Sequence, residues 1–106
     1  MYTALGASTE YISGLSGGRK VNVTGGTRVQ LSSTEAPCNA IIIQALRSNV
    51  GNVAVGGSDV SISVGSENGL VLAPGQTITL NVNNITRIWI DAANNTEGVN
   101  YLLIKG

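Results

Sequence analysis

Acidic, sulfur and aromatic side chains are where chemistry would have to come from in this chain of 106 residues, and all are sparse. Histidine is absent, which removes Ser-His and Cys-His nucleophilic pairs and the common zinc sites. Asp59, Glu67, Asp91 and Glu97 could in principle supply the carboxylate pair of a glycoside hydrolase, but acids in so small a chain usually mark turns. The run Asp91-Ala92-Ala93-Asn94-Asn95-Thr96-Glu97 clusters oxygen ligands that calcium accepts, yet fits no known loop spacing. A turn closed by its own side chains is the simpler reading. The single cysteine, Cys38, excludes an internal disulfide. With no cation beside it in sequence to lower its pKa, it reads as a small buried hydrophobe. The glycines form neither a Walker loop nor G-x-G-x-x-G between a strand and a helix. No cofactor, no metal and no enzymatic activity are expected.

Charge points the same way. Six basic residues balance six acidic ones, and only Arg19 and Lys20 are neighbours among the cations. Nucleic acid is not an expected partner, because backbone binding needs clustered cations to displace counterions. No apolar run approaches membrane-spanning length, and the first residues lack the basic and apolar regions of a signal peptide, so no membrane association is expected. Three N-x-T triplets begin at Asn22, Asn84 and Asn94 and read as turn and strand polarity without a secretory route.

What remains is apolar character on faces that should be solvated. If Ile88 and Ile90 point inward, Arg87, Trp89 and Asp91 point out. Ile42, Val71 and one of the pairs Tyr101/Leu103 or Leu102/Ile104 are likewise left over. Each large side chain is worth roughly 1.5–3 kcal/mol on burial, so several together favour association. The candidate interface is therefore Ile42, Val71, Arg87, Trp89 and Tyr101, with Tyr2, Leu5, Tyr11, Ile12 and Leu15 from the N-terminal stretch. Trp89 and Tyr101 could alternatively stack on sugar rings.

These residues must be held by strands. Residues 1–18 scatter isolated apolar points through Gly and Ser and read as an extended arm; 19–106 form one domain. Val21/Val23 and Val29/Leu31 alternate around the Gly25-Gly26 turn. Ala40 to Arg47 reads as a strand over a competing helix, on three consecutive isoleucines. Ser48 to Gly51 reads as a hairpin loop before Val53/Val55, and Asp59 to Val64 alternates as a further strand. Leu70 to Leu72 follows, and after Pro74-Gly75 come Ile78/Leu80/Val82 and Ile88/Ile90, expected to pair antiparallel across Asn83-Asn84. Val99 to Ile104 closes the chain. Eight or nine short strands without a usable helix predict a single antiparallel β-sandwich, jelly-roll-like, behind the arm.

The order Thr27-Arg28-Val29-Gln30-Leu31-Ser32, Ala36-Pro37-Cys38 leading into Ile41-Ile42-Ile43-Gln44-Ala45, then Asn52-Val53-Ala54-Val55-Gly56, Leu70-Val71-Leu72-Ala73-Pro74-Gly75, Ile88-Trp89-Ile90-Asp91-Ala92 and Val99-Asn100-Tyr101, resembles small all-β virion proteins of tailed bacteriophages. The likeness covers residues 27 to 104, and its weight lies in the order of the pieces. It implies a non-enzymatic capsid decoration or cement protein, made in the host cytoplasm and seated on the outer capsid surface. The partners it implies are the major capsid protein and other copies of the chain, as a trimer. A tail, baseplate or fibre component binding carbohydrate or another tail protein is the alternative. The interface residues named above come from alternation, not from the likeness.

Overall fold

The computed structural model describes residues 14–22 and 24–105. Among the described residues there are eight strands: β1 (Gly14–Asn22), β2 (Val29–Gln30), β3 (Ala40–Ala45), β4 (Val53–Gly56), β5 (Leu70–Leu72), β6 (Thr77–Leu80), β7 (Trp89–Ala92) and β8 (Glu97–Lys105). They form two four-stranded antiparallel sheets, ordered β1-β8-β3-β6 and β2-β7-β4-β5. The pairing is nested: β1 with β8, β2 with β7, β3 with β6 and β4 with β5. Two further contacts, β3 with β8 and β4 with β7, join these pairs into sheets.

One core is shared by the two sheets in a sandwich-like arrangement. Ile41, Ile43, Ala45, Val99 and Leu103 come from the first sheet and Val53, Val55, Leu72, Ile90 and Ala92 from the second. Period-two alternation then sends the intervening residues to the outer faces. Cys38 is buried in this core, as its small apolar character predicts, and its thiol donates to the Val82 carbonyl at 3.2 Å. Burial pushes its pKa up, with Lys105 pulling weakly the other way.

Several sequence expectations are corrected. Residues 14–18, expected in the arm, form the first half of β1 and pair with Tyr101 through Lys105 of β8. Backbone hydrogen bonds make that pairing, so the glycines hide it from any side-chain pattern. Residues 1–13 of the expected arm lie outside the described residues. The segments 77–82 and 88–90 do not pair: β6 belongs to the first sheet and β7 to the second. Between them Asn84 caps a 3-10 turn, Ile85–Arg87, which carries the chain from one sheet to the other. Ser48 to Gly51 is likewise a crossover, since β3 and β4 lie in different sheets. Asn49 fixes it, donating its amide to the Gly98 carbonyl at 2.9 Å and accepting from the Gly98 N–H at 3.3 Å.

The strand expected at Asp59 to Val64 is a turn-rich segment with one isolated bridge, Ser61 to Asn68. Its alternation serves another purpose. Val60 is fully buried while Val64 is 95% exposed, because the segment folds over the outer face of β7 and β4 and contributes one apolar plug. Gly69 ends this cover at φ +102, where an added Cβ would lie 2.5 Å from the Val55 carbonyl oxygen. Only glycine fits both the angle and the space.

Candidate functional site

The two outer faces differ. On the second sheet, cross-strand rows set Gln30, Trp89 and Gly56 side by side, then Asp91, Ala54 and Val71. The segment 57–69 covers part of this face. Ala54 is fully buried and Asp91 is 2% exposed although both point away from the main core. Asp91 Oδ2 accepts the Ile62 N–H at 3.0 Å and pins the cover down, while Oδ1 has no partner among the described residues. Arg28 adds a second tie through the Ser58 carbonyl at 3.2 Å. Asp91, expected to face solvent, is therefore enclosed by a loop that pairs with no strand and whose alternation reads as a strand of its own.

On the first sheet nothing among the described residues performs that service. Its outer rows read Leu15, Ile104, Ala40; then Gly17, Leu102, Ile42, Thr79; then Arg19, Asn100, Gln44, Thr77. Leu15 is 60% exposed, and Ile42, Leu102 and Ile104 are half-buried. A shallow depression of about 230 Å³ lies on this face, bordered by Ile42, Gln44, Thr77, Asn100 and Leu102. Arg19, the one charge in these rows, donates to the Asn100 side chain at 3.3 Å. Arg19 and Lys20 also sit on the edge strand β1, where cations discourage uncontrolled strand pairing.

Of the residues expected at an interface, Leu15 and Ile42 thus share one face. Val71, 40% exposed, and half-buried Trp89 lie on the opposite sheet. Tyr101 packs against the core, so Leu102 and Ile104 are the pair left outside. Its ring lies against Gly18 of β1, where an added Cβ would collide with the phenol. Four consecutive apolar residues, Tyr101 to Ile104, leave the parity of this strand unreadable without a partner register. Tyr2, Leu5, Tyr11 and Ile12 lie outside the described residues.

Arg87 belongs to a third feature that the strand pattern does not reveal. A polar cleft of about 390 Å³ is lined by Gln30, Glu35, Asn83, Asn84, Thr86 and Arg87. Two linings are fixed by their own bonds. Asn84 Oδ1 accepts the Ala36 N–H at 3.1 Å, the Thr86 N–H at 3.2 Å and the Thr86 hydroxyl at 3.1 Å. The Gln30 amide donates to the Thr86 carbonyl at 2.9 Å. The Asn84-Ile85-Thr86 triplet, which reads from sequence only as turn and strand polarity, marks the cap that holds this cleft.

The acid of the loop considered for calcium is engaged by protein donors, two of them from the neighbouring 46–52 connection. Glu97 accepts the Val50 N–H at 2.6 Å, the Gly51 N–H at 3.1 Å and the Asn94 amide at 3.2 Å. The Val50 bond is the main reason its carboxyl is held below the usual carboxylate range. Among the described residues no three His, Cys, Asp or Glu side chains gather as a metal site, and no helix is long and apolar enough to cross a membrane. No protein-family model, no curated protein and no solved structure matches the chain.

Proposed function

We propose that this chain is a non-enzymatic structural protein that works by surface contact, seating the outer face of β1-β8-β3-β6 against a second copy of itself. The observation that carries this reading is the contrast between the faces: one sheet has its outer side plugged by Val60, while on the other nothing among the described residues covers Leu15, Ile42, Leu102 and Ile104. A second copy suits the face because it is nearly uncharged, offering a foreign charged surface nothing to pair with and its own copy nothing to repel. Four strands spaced by ~4.8 Å and about six residues of ~3.3 Å rise give roughly 300–400 Å². A stable pair buries about 800 Å² on each side, so this contact is weak in isolation and gains strength when many such pairs are anchored side by side on one surface.

That weakness fits a protein that assembles on a larger shell. The nested strand pairing supports a jelly roll, an architecture in which viral capsid domains recur. The likeness to tailed-phage virion proteins supports a capsid decoration or cement role on the outer head surface, with the major capsid protein beneath; the trimer it implies needs a second, head-to-tail contact besides this twofold one. A tail, baseplate or fibre component is the second reading, favoured by the polar cleft. Sedimentation equilibrium tests the shared premise: the wild-type protein should associate reversibly at micromolar to millimolar concentration, and Leu102→Lys should abolish this without lowering the melting temperature. A wild-type chain monomeric throughout that range would remove the proposal.

A further inference from the structure

Beyond this assembly role, we propose that the cleft lined by Gln30, Glu35, Asn83, Asn84, Thr86 and Arg87 binds a neutral sugar ring. The argument begins with what each lining group has left to offer. The side chains of Glu35 and Arg87 make no hydrogen bond or ion pair among the described residues, so a carboxylate and a guanidinium stand ready in one cleft. Asn84 spends its oxygen on three protein donors and keeps its amide N–H groups. Gln30 spends one amide hydrogen on Thr86 and keeps its oxygen. Asn83 is exposed and keeps both ends of its amide.

The cleft therefore presents acceptors at Glu35, Gln30 and Asn83 and donors at Arg87, Asn84 and Asn83. A hydroxyl is donor and acceptor at once, so a ring carrying several of them can engage this mixture throughout. A simple anion meets Glu35 and a simple cation meets Arg87, which disfavours both. Asn84 and Gln30 are already held by the protein, so binding need not freeze them. The cleft's volume of about 390 Å³ lies within the usual range for small-molecule sites.

Trp89 flanks this arrangement. It is the cross-strand partner of Gln30 on the outer face of the second sheet and is half-buried. Opposed side chains of this kind stand about 5 Å apart at Cβ. Trp89 is not among the residues lining the cleft, so it serves as a reporter beside Gln30 rather than as a stacking surface. As the only tryptophan in the chain, it reports on its own surroundings.

The experiment uses the full chain, labelled with ¹⁵N and titrated separately with glucose, galactose, N-acetylglucosamine and, as a zwitterionic control, glycine. Amide shifts and tryptophan fluorescence are followed together. At least one sugar should shift the signals of Gln30, Asn83, Asn84 and Thr86 with a Kd of roughly 1–10 mM, the range expected for so small a ligand. Glu35→Ala and Arg87→Ala should each weaken binding about tenfold or more, since each removes a charged hydrogen-bonding group. Their melting temperatures should match the wild type, as both side chains are exposed. Three results would overturn the proposal: no response to any of the three sugars at about 100 mM, ten times the weakest Kd expected; shifts mapping to β1, β3 and β8 instead; or a response to glycine alone.

Discussion

Replacing Asn22 by alanine should remove one of the larger polar contributions to this fold. Asn22 closes one end of β1, is fully buried, and links three segments. Its Oδ1 accepts the Ala92 N–H of β7 at 3.0 Å, crossing from one sheet to the other. Its amide donates to the Thr27 carbonyl at 2.6 Å, and its own carbonyl accepts the Thr96 N–H at 2.7 Å. Asn22→Ala keeps the last bond and strands the other two partners, a backbone N–H and a backbone carbonyl. The buried Ala92 N–H left unsatisfied costs about 1–3 kcal/mol, and the Thr27 carbonyl, on an exposed residue, can turn to water and adds under about 1 kcal/mol, so the loss is roughly 1–4 kcal/mol. In a domain of this size that lowers the melting temperature by about 5–25 °C. At about 1 kcal/mol per molar, the urea midpoint falls by about 1 M or more. Asn95 supplies the control. It makes a comparable bond, accepting the Gly25 N–H at 2.8 Å, but at the surface, where water can replace it. Asn95→Ala should cost under about 1 kcal/mol. Urea unfolding of the two variants beside the wild type decides the matter, and equal losses for both would refute the reasoning that burial sets the cost.

Two more outcomes are expected. Glu97 has its folded-state carboxyl pKa depressed, chiefly by the Val50 N–H, so the unfolded chain binds its proton more readily. Its contribution is present above the unfolded-state pKa and is lost as pH falls through the lower folded value. Acid unfolding monitored by circular dichroism should therefore begin at higher pH with less steepness in Glu97→Gln, and an unchanged acid limb would contradict this. Gly18→Val should destabilise by about 1–3 kcal/mol through overpacking against the Tyr101 ring, and Tyr101→Leu in the same chain should recover part of the loss. Thermal melts of the single and double variants measure it, with strict additivity as the contrary result.

How much of this was legible in the residues varies with the kind of information. Ile41/Ile43, Val53/Val55 and Ile88/Ile90 alternate plainly, and all six are in the core. Which strand pairs with which was not legible, because the chain crosses between sheets at residues 46–52 and 81–88, and a crossover has the same loop residues as a hairpin. The Asp59–Val64 alternation misleads for a physical reason: a plug that buries Val60 and half-buries Ile62 satisfies the same local pattern as a strand. β1 is missed in its first half because Gly14, Gly17 and Gly18 have no side chains with which to alternate. The polar cleft draws residues 30, 35 and 83–87 together from distant parts of the chain, and only the folded register makes them neighbours.

The uncovered face of the first sheet can be tested most directly with a soluble paramagnetic probe that relaxes whichever methyl groups it can reach. Methyl relaxation would be compared in dilute and in assembled protein. Leu15, Ile42, Leu102 and Ile104 should be accessible in the dilute state and shielded on assembly, while Val64 stays accessible in both. If those four remain accessible after assembly while Val64 and Val71 become shielded, the contact lies on the other sheet and the account is contradicted.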